Sequence, residues 1–148
     1  MKGKHKKFEA DLYTKYDGPA KEAISVHLTL TGHSVTVPPE NYGPDLYSYW
    51  GPRKMYHEVE VSQGWKQDVH PYPRGSIPER KTRLITKVGD CELFFWMLRL
   101  DCMRALVFSS IMLNDKYLIE VSNKKITTGE YFYRIPKSFG KEFDLAKI

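Results

Sequence analysis

Pro44-Asp-Leu-Tyr-Ser-Tyr-Trp50-Gly-Pro-Arg53-Lys-Met-Tyr-His-Glu58-Val-Glu60-Val61 is the stretch whose reading decides the fold. Two apolar and aromatic segments flank a Gly-Pro-Arg turn, the pattern of a β-hairpin. Residues two apart on a strand share a face, so Glu58 and Glu60 point the same way. Asp45 heads the first strand, and folding the hairpin brings it to the same surface. Gathered carboxylates repel and raise one another's pKa values, and a folded chain holds them best around a divalent cation.

Upstream, Phe8 to Tyr16 has the composition of a short helix. Asp17 or Gly18 is the expected N-cap of a second helix, with Pro19 suited to its first turn. That helix is expected over Ala20 to Thr31, with Ala20, Ile24 and Leu28 on one stripe and Gly32 closing it. Ser34 to Val37 reads as a strand stopped by Pro38-Pro39. Downstream, Ser62 to Lys81 carries Gly, Pro and charge and reads as a long loop. Glu92 to Asp101 and Arg104 to Ser110 read as strands. Tyr117 to Val121 and Glu130 to Ile135 read as a late hairpin. A helix followed by several strands predicts an α/β (α+β) fold with a mixed central sheet.

The chain has 148 residues, which predicts a single domain over residues 1–148. No apolar run approaches the length of a membrane span, and no secretory signal pattern is visible. Cys91 and Cys102 read as reduced thiols, consistent with a cytoplasmic protein. The net charge of +5 is unevenly placed. Met1 to Lys7, expected as a flexible basic tail, includes Lys4, Lys6 and Lys7. A second cluster holds Arg74, Arg80, Lys81, Arg83 and Lys87, and a third lies near the C-terminus. Basic charge beside an acidic metal site suits a polyphosphate backbone.

These residues resemble the PD-(D/E)xK nuclease superfamily, with its restriction-endonuclease-like core. Pro44-Asp45 and Glu58-Val59-Glu60 match its Pro-Asp and acid-x-Lys pair in order and spacing. Members with a Holliday-junction-resolvase-like layout add a Glu about ten residues before the Gly that ends the first helix. Glu22 stands in that relation to Gly32. The resemblance covers roughly Pro19 to Lys66 and departs at one position, where Glu60 replaces the lysine.

The resemblance implies a Mg²⁺- or Mn²⁺-dependent deoxyribonuclease, an endonuclease acting on duplex or branched DNA as a homodimer; the small size without a recognition module points to a phage or mobile-element type. Asp45, Glu58, the Val59 carbonyl and Glu22 would hold the metal. Glu60 would complete a second metal site or orient the attacking water, and Lys66 would supply the missing cation from the following loop. Lys4, Lys6, Lys7, Arg74, Arg80, Lys81, Arg83 and Lys87 would track the DNA backbone.

Other signals are weaker. His57 should face away from Glu58, as a packed side chain. His70 sits in the predicted loop. Tyr47, Tyr49, Trp50 and Trp65 lie near the acids, where they would stack on bases or fill a core. There is no glycine-rich phosphate loop, no Cys/His metal spacing and no Ser-His-Asp arrangement. Two rival readings stand beside the nuclease: a nucleic-acid binder that has lost turnover, and a small phage-type interaction protein.

Overall fold

The computed structural model describes residues 17–39, 43–123 and 126–145. The predicted helix over Phe8 to Tyr16 and the basic residues Lys4, Lys6 and Lys7 lie outside them.

Helix α1 spans Gly18–Leu30. Proline in the first turn loses no hydrogen bond there, because the first N–H groups of a helix have no internal acceptor. Ala20, Ile24, His27 and Leu28 form its buried stripe. The helix ends as predicted: Gly32 adopts φ 103°, and His33 N–H returns to the Leu28 carbonyl at 2.9 Å.

Strand β1 (Ser34–Thr36) pairs antiparallel with β2 (Leu46–Trp50), which forms the expected hairpin with β3 (Arg53–Val61). Trp50 faces Arg53, so the turn is Gly51-Pro52, with Gly51 at φ 61°. β5 (Glu92–Leu98) lies parallel to β3, β6 (Arg104–Ser109) antiparallel to β5, and β9 (Lys141–Asp144) antiparallel to β6. These six strands make one mixed sheet in the order β1-β2-β3-β5-β6-β9.

The segment Ser62 to Lys81 is not one long loop. It contains β4 (Arg74–Pro78), followed by a 3₁₀ turn at Glu79–Thr82 and helix α2 (Arg83–Val88). β4 pairs with β8 (Ile126–Pro136), which pairs with β7 (Leu118–Asn123), forming a second sheet of three strands. The apolar content of Arg-Gly-Ser-Ile-Pro is too low to signal a strand. Its partner, which lies far along the chain, is what makes it one. The late hairpin is longer than its residue types suggest, because β7 and β8 go on pairing with each other as far as Asn123 and Ile126.

The large sheet is buried on both faces. On one, Val59, Val61, Trp96, Leu98 and Ala105 pack against the α1 stripe. On the other, Tyr56, Leu93, Phe95, Met97 and Phe108 pack with Ile77, Tyr133 and Ile135 of the small sheet and Leu84 and Val88 of α2. Full burial of each large side chain is worth about 1.5–3 kcal/mol, so both layers anchor β3 firmly. Trp65, fully buried, belongs to this second core and is not a stacking surface. Cys91 and Cys102 are free thiols.

Candidate active site

Tyr56, Glu58 and Glu60 alternate on β3 with Met55, His57, Val59 and Val61, and the two sets face opposite layers. His57 points to the α1 side, as its position predicts. The Trp96 indole N–H donates to its Nδ1 at 3.0 Å, and its Nε2 lies 2.8 Å from Ser48 Oγ. With Nδ1 accepting, Nε2 carries the proton and donates to Ser48, whose hydroxyl donates to His33 Nδ1 at 3.1 Å. Burial depresses the His57 pKa to about 3, so the ring is a neutral part of the core.

On the other face the acids meet. Leu46 is paired with His57, so one step further along the hairpin sets Asp45 opposite Glu58. Val59 N–H donates to Asp45 Oδ2 at 2.8 Å, locking that carboxylate to the neighbouring strand. Lys21 of α1 pairs with Asp45 Oδ1 at 3.2 Å. Lys81, from the 3₁₀ turn, donates to Glu58 Oε2. Among the described residues, no donor reaches the buried Glu58 Oε1.

Burial first, and the Asp45 charge second, push Glu58 up to about 7 against the pull of Lys81. Burial likewise raises Asp17, with Asp45 adding to it and Lys21 and Lys81 opposing. Glu60 is also raised by desolvation, while Lys81 and then Arg80 draw it down. Its side chain is solvent-exposed at the end of β3, on the edge of the cleft. The cleft is lined by Glu58, Glu60, Ser76, Pro78 and Lys81. Acids and cations are thus interleaved: Asp17, Asp45, Glu58 and Glu60 with Lys21, Arg80 and Lys81.

Among the described residues, no three acidic, histidine or cysteine side chains converge as a ready metal cage. Magnesium does not require one, because it binds through one or two carboxylates and keeps water and phosphate oxygens as its other ligands. Asp45 and Glu58 meet that requirement. Lys81 pairs with Glu58 Oε2, and among the described residues Oε1 has no donor, so a cation would give that oxygen a partner.

No protein-family model matches the chain, and no curated protein does. Among solved structures it is similar to Hjc, a Holliday junction resolvase from the archaeal hyperthermophile Archaeoglobus fulgidus. The TM-score is 0.56 at 13% identity, over 85% of this chain and 90% of that one. The fold is resolvase-like. At that identity the likeness speaks for the fold, a restriction-endonuclease-like α+β core built on a mixed sheet, and for nothing finer.

Within this fold the predicted residues separate into two groups. Asp45, Glu58 and Glu60 share one surface, with the Val59 peptide tied to Asp45. Lys81, expected only to track a backbone, stands against Glu58 instead. Glu22 is exposed on α1, where Lys21 is the side chain that touches Asp45. Lys66 is exposed in the turn after β3, its backbone N–H bonded to Gln67 Oε1 at 3.0 Å. Arg80 is paired with Glu130 at 3.1 Å, and Arg83 Nη1 donates to the Arg80 carbonyl at 2.9 Å. Arg74 and Lys87 are exposed, and the Lys87 stem packs near Gly43.

Sequence reasoning missed the roles of Lys81, Lys21 and Asp17. Asp17 carried only a capping signal. Lys81 is 23 residues from Glu58 in a segment read as loop, and no local spacing announces the contact.

Proposed function

We propose that this protein is a metal-dependent nuclease that hydrolyses phosphodiester bonds in DNA. The observation that carries the reading is the Asp45–Glu58 pair, set across one hairpin in a resolvase-like sheet with a lysine on Glu58. Asp45 and Glu58, with the Val59 carbonyl, would hold Mg²⁺ or Mn²⁺. A divalent cation, when bound, supplies Lewis acidity toward the phosphate and lowers the pKa of the attacking water.

The protein's own groups do the rest. Val59 N–H fixes the Asp45 carboxylate so that its orientation is set before substrate arrives. Lys81 fills the chemical role of the lysine that Glu60 replaces, since its ammonium already stands at Glu58. Lys81, standing at Glu58, would be within the site to donate to a non-bridging phosphate oxygen and stabilise developing charge there. Arg74, Arg83 and Lys87 contact the backbone on either side and make affinity depend on salt. A homodimer acting on duplex or branched DNA is the assembly that suits this fold.

One observation favours a second reading. Lys21 and Lys81 already neutralise the acid pair, as they would in a binder that has lost turnover. The deciding experiment is cleavage of supercoiled plasmid and of a four-way junction with Mg²⁺, Mn²⁺ or EDTA, comparing Asp45→Asn with the parent. The nuclease cuts only with metal and loses cutting in the variant. A binder holds both DNAs equally well in EDTA and cuts neither.

A further inference from the structure

Glu60 does not end at the cleft it shares with Glu58. It also lines an adjoining pocket of about 230 Å³, between the end of β3 and the small sheet. Ser76, Pro78 and Met97, like Glu60, border both spaces, so the two adjoin. Glu58 and Glu60 are two residues apart on one strand, roughly 7 Å. A phosphate seated at Asp45 and Glu58 therefore has the pocket within reach of its own nucleoside.

The pocket's size and lining define what fits. Drug-sized ligands need roughly 300 Å³ or more, so this space suits one small ring system and excludes a base pair. Phe132 and Tyr72 supply aromatic surface, Met97 and Pro78 apolar surface, and Arg74 stands at the exposed edge. Tyr72 is held at the rim: its carbonyl accepts from His70 Nδ1 at 3.1 Å, and its hydroxyl lies over Gly64. Glu60, Ser62, His70 and Ser76 add polar groups to the lining. Apolar faces with a few edge-reading polar groups are what an extruded base requires.

We infer that this pocket receives a single unpaired nucleobase beside the scissile phosphate, with Glu60 accepting hydrogen bonds from its N–H groups. The inference rests on the nuclease reading for the position of the phosphate. It gives the residue in the superfamily's lysine position a reading role, and it makes the substrate a strand unpaired at that point. Guanine, with two adjacent N–H donors, suits a carboxylate best. Thymine suits it least, because its lone N–H lies between two carbonyl oxygens that repel the acid.

The test uses the full chain with oligonucleotides carrying one 2-aminopurine, moved base by base through a single-stranded gap in a duplex. Binding is followed by fluorescence in EDTA. One position is expected to change several-fold on binding, with the change abolished by Ser76→Phe, which fills the pocket, and reduced by Tyr72→Ala at the exposed rim. Glu60→Ala should level the preference for guanine over thymine at that position. A uniform response along the gap, a response that both variants leave intact, or no binding at all would overturn the inference. Adding Mg²⁺ separates the two readings. A localised signal without cleavage supports the pocket and sinks the nuclease. Cleavage with equal rates on gapped and fully paired DNA, in parent and Ser76→Phe alike, keeps the nuclease and sinks the pocket.

Discussion

Lys81 and Lys66 are the two residues that could stand in for the superfamily's lysine, and their surroundings differ. Lys81 touches Glu58, whereas Lys66 is exposed on a turn. Lys81→Ala should lower the rate of metal-dependent cleavage by roughly 10²-fold, the usual cost of one charge-stabilising group. Lys66→Ala should stay within a few-fold. Single-turnover rates at saturating DNA make the comparison, and equal losses in both variants would refute the assignment. Two buried groups with large shifts pull the pH dependence of stability in opposite directions. His57 is depressed from 6.5 to about 3, so between those values the unfolded chain binds a proton that the folded chain refuses, and stability falls as pH falls. Glu58 is raised from 4.5 to about 7, so its contribution is present below 4.5 and lost as pH rises through 7. The slopes oppose between 4.5 and 6.5 and largely cancel there. Urea midpoints measured from pH 6.5 to 4.5 should fall more steeply in Glu58→Gln than in the parent. Glu58→Gln removes the opposing slope, and its midpoint should fall from pH 6.5 downward.

At the scale of elements, β4 is the piece that completes the cleft. It brings Ser76 to the pocket and leads straight into the turn bearing Lys81. Its approach to the large sheet depends on Gly75, where an added Cβ would stand 2.4 Å from the Phe108 ring and 2.8 Å from Met97 Cε. Both neighbours are buried, so the clash cannot relax into solvent. Gly75→Ala should cost about 1–3 kcal/mol by overpacking, read as a lower urea midpoint. It should also reduce cleavage at a denaturant-free pH optimum, since β4 and Lys81 shift together. The hairpin of β2 and β3 is independent of this. Its register is set by a two-residue turn with Gly51 at positive φ, and Asp45 follows Glu58 wherever that register is kept.

Across the whole molecule the net charge is +5, while the described cleft gathers Asp45, Glu58 and Glu60, and the proposed DNA binding makes use of that contrast. DNA affinity should fall by at least tenfold between 50 and 200 mM salt, as phosphate contacts require, with a log–log slope that flattens when Arg74 and Lys87 are replaced by Ala. Fluorescence anisotropy at several salt concentrations measures it, and a salt-independent affinity would count against nucleic acid as the partner.

The sequence by itself determined the parts governed by local periodicity. The α1 stripe, its glycine stop, the hairpin and the shared face of Glu58 and Glu60 all follow from spacings of two, three or four residues. The opposite orientation of His57 follows from the same alternation. Tertiary structure decided what depends on chain segments far apart. β4 is a strand because β8 pairs with it, Trp65 is core because a second sheet covers it, and Lys81 reaches Glu58 because that sheet and the 3₁₀ turn place it there. Lys21 rather than Glu22 meets Asp45 because the packing of the buried stripe sets the rotation of α1. Backbone sterics and alternation act between neighbours in sequence, so they can be read along the chain. A charge in a cleft has its partners chosen by packing, which no local pattern records.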